Sequence, residues 1–424
     1  MPTQQKEPLY LHGSQLVFTI LVSALGYFVD IYDLILFSIV RLESLASIGV
    51  HGDQLISASE LILNSQMAGM LIGGVIFGVL ADKRGRLSVL MASILLYSLM
   101  NIANAFVTNV PMYAVFRFFA GIGLAGELGV AITLVTEVMR KETRGYGTTI
   151  VASMGILGAV AAYFVHALFN WQAAFIAGGV MGLGLLAMRV RLHESGMFAK
   201  QAMAPIAKGN LLMLFNRGRL LTYLACIAIG IPVWYVVGVL VTFSPELASA
   251  SGTVETVVTG LSITWTYMGM VVGDLASGLL SQWLRSRKKV ILLHMILTVL
   301  SVWWFLTDTN RSPETIYLQC GILGYAIGYW AVFVTTAAEQ FGTNLRATVA
   351  TTVPNFVRGG MVPILFLLHL LRTGSIPGSD AQVLTGGSII QSAGIIAVAV
   401  FAVALGGWVL LRETFHKDLD YVEN

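Results

Sequence analysis

"GGVIFGVLADKRGRLSVL", residues 73–90, joins two apolar runs through a loop that gathers Asp82, Lys83, Arg84 and Arg86 around Gly85. "GDLASGLLSQWLRSRKKV", residues 273–290, repeats the pattern at an offset of 200, placing Gly73 on Gly273 and Gly78 on Gly278. At an offset of 202, "TEVMRKETRG" (136–145) falls on "AEQFGTNLRA" (338–347), so Glu137 meets Glu339 and Arg144 meets Arg346. Two features at nearly one offset point to a duplicated unit, repeated in parallel about an axis normal to a membrane.

A membrane is required by composition. The 424 residues are 56% hydrophobic and only 11% charged. A soluble domain carries about 25% charged residues, and so few charges do not cover a soluble surface. The apolar residues come in long runs, and a run of about 20 crosses the hydrocarbon core as a helix. Twelve spans are expected, at about 16–40, 58–81, 87–107, 112–136, 146–168, 171–190, 219–243, 256–282, 289–307, 314–337, 347–371 and 386–411. Lys and Arg favour the cytoplasmic side. With the termini inside, the inner segments hold twenty basic residues and the outer ones only Arg41, Arg311 and Arg372. Arg117 and Arg358 fall within spans. The protein is therefore expected in the plasma (cytoplasmic, inner) membrane with both termini cytoplasmic. No cleavable signal peptide is evident. Cys226 and Cys320 lie in apolar runs, so no disulfide framework is implied.

The fold expected is all-α and polytopic: twelve helices in two pseudo-symmetric six-helix bundles around a central cavity. Residues 1–190 form the N-terminal bundle, 191–218 a polar, basic cytoplasmic linker, and 219–424 the C-terminal bundle.

"GVLADKRGRLSVL" resembles the loop 2–3 signature of the major facilitator superfamily, with Leu87 where a basic residue is usual. The second copy has Gln282 in place of Asp82. "RFFAGIGLAGELG", the Glu-six-Arg pair, "NWQAAFIAGG" and "LHESGMF" resemble the metabolite:proton symporter branch of that superfamily. That branch takes up organic acids, sialic acid and betaine. The Asp-x-x-Asp of the first span resembles the aromatic-acid porters. The resemblance implies alternating access. It also implies that Asp82 faces the eleventh helix. A cytoplasmic gate is expected from Gly78, Asp82, Gly85, Arg86, Glu137 and Arg144, with Glu339, Arg346 and Arg285 as its second copy. The opposing reading of these charges is a set of solvated positive-inside residues.

Ionisable groups inside a bilayer are functional candidates because each costs about 2.5–3.5 kcal/mol even on the lenient scale. Asp30 and Asp33 share one face of the first span. Two close carboxylates in a low dielectric do not both ionise cheaply, so one is expected to hold a proton. With Glu127 they are the proton-coupling candidates. Arg117 and Arg358 suit a carboxylate, which guanidinium binds bidentately. Tyr235, Trp265, Tyr329 and Asn355 join them as candidate substrate contacts. Trp234, Tyr267 and Trp330 belong to the same aromatic set. Pro354, Gly359, Gly360 and Pro363 predict a broken eleventh span.

These readings point to a secondary transporter driving proton-coupled uptake of a small organic metabolite, most readily a carboxylate. Alternatives are a proton-coupled exporter, uptake of an organic cation, zwitterion or sugar, and a non-transporting sensor homologue. An enzyme is not expected: the seven His are scattered without a ligand cluster, and no phosphate loop is present. No cofactor, metal or nucleic acid is implied. The expected partners are substrate, protons and the lipid bilayer, with the protein acting as a monomer.

Overall fold

A computed structural model describes residues 13–52, 54–84, 86–139, 144–190, 214, 216–376 and 385–415. Its regular elements are helices. In the first half these are α1 (Gly13–Ser47), α2 (Gln54–Arg84), α3 (Arg86–Asn104), α4 (Val110–Leu124), α5 (Leu128–Val138), α6 (Arg144–Leu168) and α7 (Trp171–Arg189). In the second half α8 (Arg217–Tyr235) runs on as a π-helical stretch, Val236–Val241. The short α9 (Ser244–Ala250), α10 (Thr259–Trp283), α11 (Arg287–Thr307), α12 (Pro313–Ile327) and α13 (Trp330–Glu339) follow. The chain ends with α14 (Thr343–Gly359), α15 (Met361–Thr373) and α16 (Ile389–Leu410).

Among the described residues, ten stretches are long and apolar enough to cross a membrane. The other two of the twelve expected spans are the interrupted α4–α5 pair and α10. α10 is 25 residues long but rich in Thr, Ser and Gly. The fourth and tenth spans, which correspond in the repeat, are both broken: at Ala125–Glu127 and at Gly328–Tyr329. The eleventh span breaks at Gly360, whereas Pro354 is accommodated inside α14. The predicted linker lies almost wholly outside the described residues.

Packing follows the duplication. α2 packs on α4, and α10 on α12. At the first crossing a Cβ on Gly73 would stand 2.4 Å from the Ile122 carbonyl oxygen; at the second, one on Gly273 would stand 2.3 Å from that of Tyr325. Only glycine allows such approach in lipid, where close backbone packing replaces hydrophobic driving force. Between the halves, α14 packs on α2 and α10 on α6. Each half thus offers the other its second and fifth spans. Polar side chains of α1, α8, α10, α13 and α14 meet where these surfaces converge.

Candidate functional site: a closed central cavity between the halves

Two small cavities lie on the interface. The central one, about 20 Å³, has room for roughly one water. Tyr27, Ile156, Trp234, Tyr267, Trp330 and Arg358 are among its walls, drawn from both halves. A second, of about 10 Å³, is bordered by Leu34, Ser38, Met67, Thr242 and Met361. Trp234 and Val237 border both.

Arg358 is 1% exposed. Its guanidinium stands 5.6 Å from the Trp234 ring and 6.0 Å from the Trp330 ring, so two aromatic faces hold a desolvated cation. Nη1 donates to Asn355 Oδ1 at 3.4 Å, while Nε and Nη2 have no hydrogen-bond partner. Nη2 lies 3.9 Å from Asp30 Oδ2 across the interface, too far for a hydrogen bond but close enough for charge neutralisation. Both carboxylate oxygens of Asp30 are buried without a hydrogen bond. Donors and acceptors left open in a buried site are what a polar ligand satisfies.

Asp33 is also fully buried, with neither carboxylate oxygen hydrogen-bonded. It packs on Gly178, where a Cβ would stand 2.2 Å from Asp33 Oδ1. Arg117 approaches Asp33 through the main chain: Nη2 donates to its carbonyl at 2.9 Å. Nε donates to Gln66 at 3.2 Å and Nη1 to Asn101 at 3.1 Å. Arg117 thus ties α1, α2, α3 and α4 together within the first half.

Glu127 sits in the break of the fourth span and is bound bidentately by Arg189, with Nη1–Oε2 at 2.9 Å and a close Nη2–Oε1 contact. Both are buried, and the pair fits only because position 26 is glycine. Arg189 ends its helix, where a basic residue ordinarily meets water, yet its side chain turns inward to Glu127.

Both ends of the cavity are shut. The face bearing the α2–α3 turn and residues 411–415 is the basic face; the opposite one is the far face. At the far face Arg41 of α1 reaches into the second half. Nη2 meets Glu246 Oε2 at 2.6 Å and the Thr242 carbonyl at 2.9 Å, and the guanidinium lies 4.8 Å from the Phe243 ring. A second strap there joins Glu60 of α2 to His369 at 2.6 Å and to Arg372 at 3.4 Å. Toward the basic face the halves touch through glycines. A Cβ on Gly129 would stand 2.5 Å from Thr351 Cα, and one on Gly74 2.7 Å from Asn355 Cβ. Asn355 Nδ2 donates to the Ala125 carbonyl at 2.8 Å. Among the described residues the halves are thus in contact on both sides of the cavity.

The family model for the Major Facilitator Superfamily matches residues 14–365. The chain belongs to this superfamily. It is similar to a putative niacin/nicotinamide transporter of Bacillus subtilis, at 28% identity over 80% of this chain and 84% of the relative. It is also similar to a 4-hydroxybenzoate transporter of Pseudomonas aeruginosa, at 31% identity over 34% of this chain and 36% of that one. Among solved structures, a D-xylose-proton symporter matches with a TM-score of 0.70 at 18% identity, covering 96% of this chain and 100% of its own. The fold is thus the twelve-helix, two-bundle architecture of this superfamily, and the protein is an integral membrane transporter rather than an enzyme.

Within that fold the remaining candidates separate. Trp265 is 46% exposed and points away from the cavity; Tyr267, two residues on and so on the opposite side of the helix, lines it instead. The Tyr235 hydroxyl donates to the Ala393 carbonyl and that of Tyr329 to the Ile229 carbonyl, both at 2.8 Å. Both residues brace the second half without lining either cavity. Gly78 packs on Thr352. Gly85 and the side chains of Asp82, Arg86, Glu137, Arg144 and Arg346 lie outside the described residues. Glu339 is paired by Arg287, at 2.7 and 2.9 Å, rather than by Arg285, and also accepts the Thr414 hydroxyl. Arg189, Arg287, Glu60, His369 and Glu246 were not among the sequence candidates. Their ion-pair partners lie 52 to 312 residues away, beyond the reach of spacing.

Proposed function

We propose that this protein takes up a small, ring-bearing carboxylate together with a proton. The observation that carries the reading is Arg358: a buried guanidinium with open donors, flanked by two indoles, facing Asp30 from the other half. A planar carboxylate fits this arrangement, its charge on the guanidinium fork and its ring between aromatic walls. The names of similar proteins, which include niacin, 4-hydroxybenzoate and benzoate transporters, support the same class.

Coupling follows from charge. In the cavity Asp30 faces Arg358 as its counter-charge. A substrate carboxylate that takes Arg358 deprives Asp30 of that counter-charge, and a bare carboxylate in a dry site is costly. A proton on Asp30 removes the cost, so anion and proton are held best together. Asp33, one turn along the same face, is the second proton candidate. Glu127 is held in a closed ion pair, which suits a positioning role in the first half. The basic face is read as cytoplasmic, following the positive-inside rule, with the two bundles joined through 191–218.

The test is radiolabelled nicotinate uptake into proteoliposomes with and without an inward proton gradient. Accumulation should require the gradient and be lost in Arg358→Lys, which keeps the charge but not the planar fork. Gradient-independent accumulation, or an unaffected Arg358→Lys, refutes the reading.

A further inference from the structure

Asn355 sits on α14, three residues before Arg358, buried where the halves meet. Its Oδ1 accepts from Arg358 Nη1 at 3.4 Å. Its Nδ2 donates to the Ala125 carbonyl at 2.8 Å and to the Thr351 carbonyl at 2.9 Å. Ala125 caps α4 at the break of the fourth span. Carbonyls at a helix end lack intrahelical partners and are open to such a donor. One amide therefore joins the candidate binding arginine of the second half to the broken main chain of the first. The absence of a side chain at Gly74 makes room for it, and Glu127 with its partner Arg189 begins two residues beyond Ala125.

We propose that Asn355 is a positioning residue that reports occupancy of Arg358 to the seam between α14 and the fourth span. The proposal rests on Arg358 as the carboxylate-binding residue. With the site empty, the guanidinium holds Oδ1 and so fixes which way the amide faces, aiming Nδ2 at Ala125. A carboxylate in the cavity draws the guanidinium away, and the bond at 3.4 Å, long for N–H···O, breaks first. The amide then keeps its bond to the Thr351 carbonyl of its own helix but loses the hold on Oδ1, and the bond across the seam weakens. That bond exists only in the closed state, so its loss shifts the closed-to-open ratio by its full value, about five- to tenfold.

The readout is maleimide labelling of Thr351→Cys, a buried seam position, in full-length protein in nanodiscs with Cys226 and Cys320 replaced by Ser. Benzoate serves as the probe, and its binding is followed separately by tryptophan fluorescence. In the parent, saturating benzoate should raise labelling about five- to tenfold. In Asn355→Ala, labelling should be fast without benzoate and change less than about twofold with it, and affinity should rise by up to about the same five- to tenfold, because benzoate no longer has to break the bond. Asn355→Asp places a carboxylate beside Arg358, so labelling should be fast and affinity should fall by about tenfold or more. Gly74→Ala, which displaces Asn355 but leaves it and Arg358 intact, should behave like Asn355→Ala. Slow, benzoate-responsive labelling in Asn355→Ala with binding intact overturns the latch alone. No benzoate binding to the parent overturns the assignment of Arg358 and the latch with it.

Discussion

Replacing Glu246 with Gln should open the far face. Arg41 is fully buried and the Glu246 side chain is 15% exposed, so their 2.6 Å contact is little screened. A hydrogen bond to a charged group is worth about 1.5–3 kcal/mol, and stripping a buried ion of its partner costs about 3–5 kcal/mol. Arg41 retains two bonds to the Thr242 carbonyl, one to Ser59 and the Phe243 face, which softens the loss. A value of about 2 kcal/mol is therefore appropriate, or roughly a 30-fold change in the closed-to-open ratio. When the halves part at this face both groups meet water, so the penalty falls on the closed state alone. Ser38 lies beneath this strap, its hydroxyl 3.3 Å from that of Thr242. Maleimide labelling of Ser38→Cys in a background free of Cys226 and Cys320 should then accelerate by about 30-fold with Glu246→Gln. A rate within about twofold of the parent would mean that the pair survives opening and does not close the face.

Glu127→Gln leaves Arg189 buried without its counter-charge and should destabilise the protein by about 3–5 kcal/mol, read as a lowered melting temperature. Glu127→Gln with Arg189→Met should recover most of that loss, and a double variant as unstable as the single would contradict a closed ion pair. Trp234→Ala should weaken benzoate binding by about three- to thirtyfold, the worth of a desolvated aromatic face, whereas Trp265→Ala should leave it unchanged in the same fluorescence titration. At the basic face, Glu413 accepts Ser286, Arg287 N and Lys288 N, fastening residues 411–415 to the start of α11. Burial raises the Glu413 carboxyl, but the bonds from Ser286 and from the N–H groups of Arg287, Phe415 and Lys288 outweigh it and hold it below the usual glutamate range. A group lowered in the folded state stabilises docking fully above its unfolded value, near pH 4.5, and loses that contribution as pH falls through its folded value. Hydrogen exchange over 411–415 should therefore rise on acidification below pH 4.5, and Glu413→Gln should raise it at neutral pH; a flat profile in both would refute the clamp.

The architecture was legible because a bilayer imposes it. Long apolar runs, Gly73 and Gly273 at crossings, and the doubled basic loop each report a requirement that local sequence alone satisfies. Arg358 was legible too, since a charge in the middle of an apolar run is conspicuous. Which way each aromatic points was not. In lipid a helix is apolar on both its packed and its exposed faces, so Trp265 and Trp234 look equivalent until the bundle is assembled. The ion pairs were hidden for another reason. Arg41 and Arg189 sit at the ends of spans, where basic residues are ordinary, and only packing shows that they are buried against Glu246 and Glu127. Asn355 is a candidate substrate contact in the sequence, and nothing in its surroundings points to the Ala125 carbonyl 230 residues away.

Substrate and proton are proposed to be coupled because one guanidinium serves two carboxylates: Asp30 when the site is empty, the substrate when it is filled. Counting protons taken up on binding tests this directly. Calorimetric titration of purified protein with benzoate at neutral pH, in buffers that differ in ionisation heat, yields that number without a membrane. About one proton per benzoate should enter in the parent and none in Asp30→Asn, with binding retained in both. Binding without proton uptake in the parent, or undiminished uptake in Asp30→Asn, would contradict the exchange at Arg358.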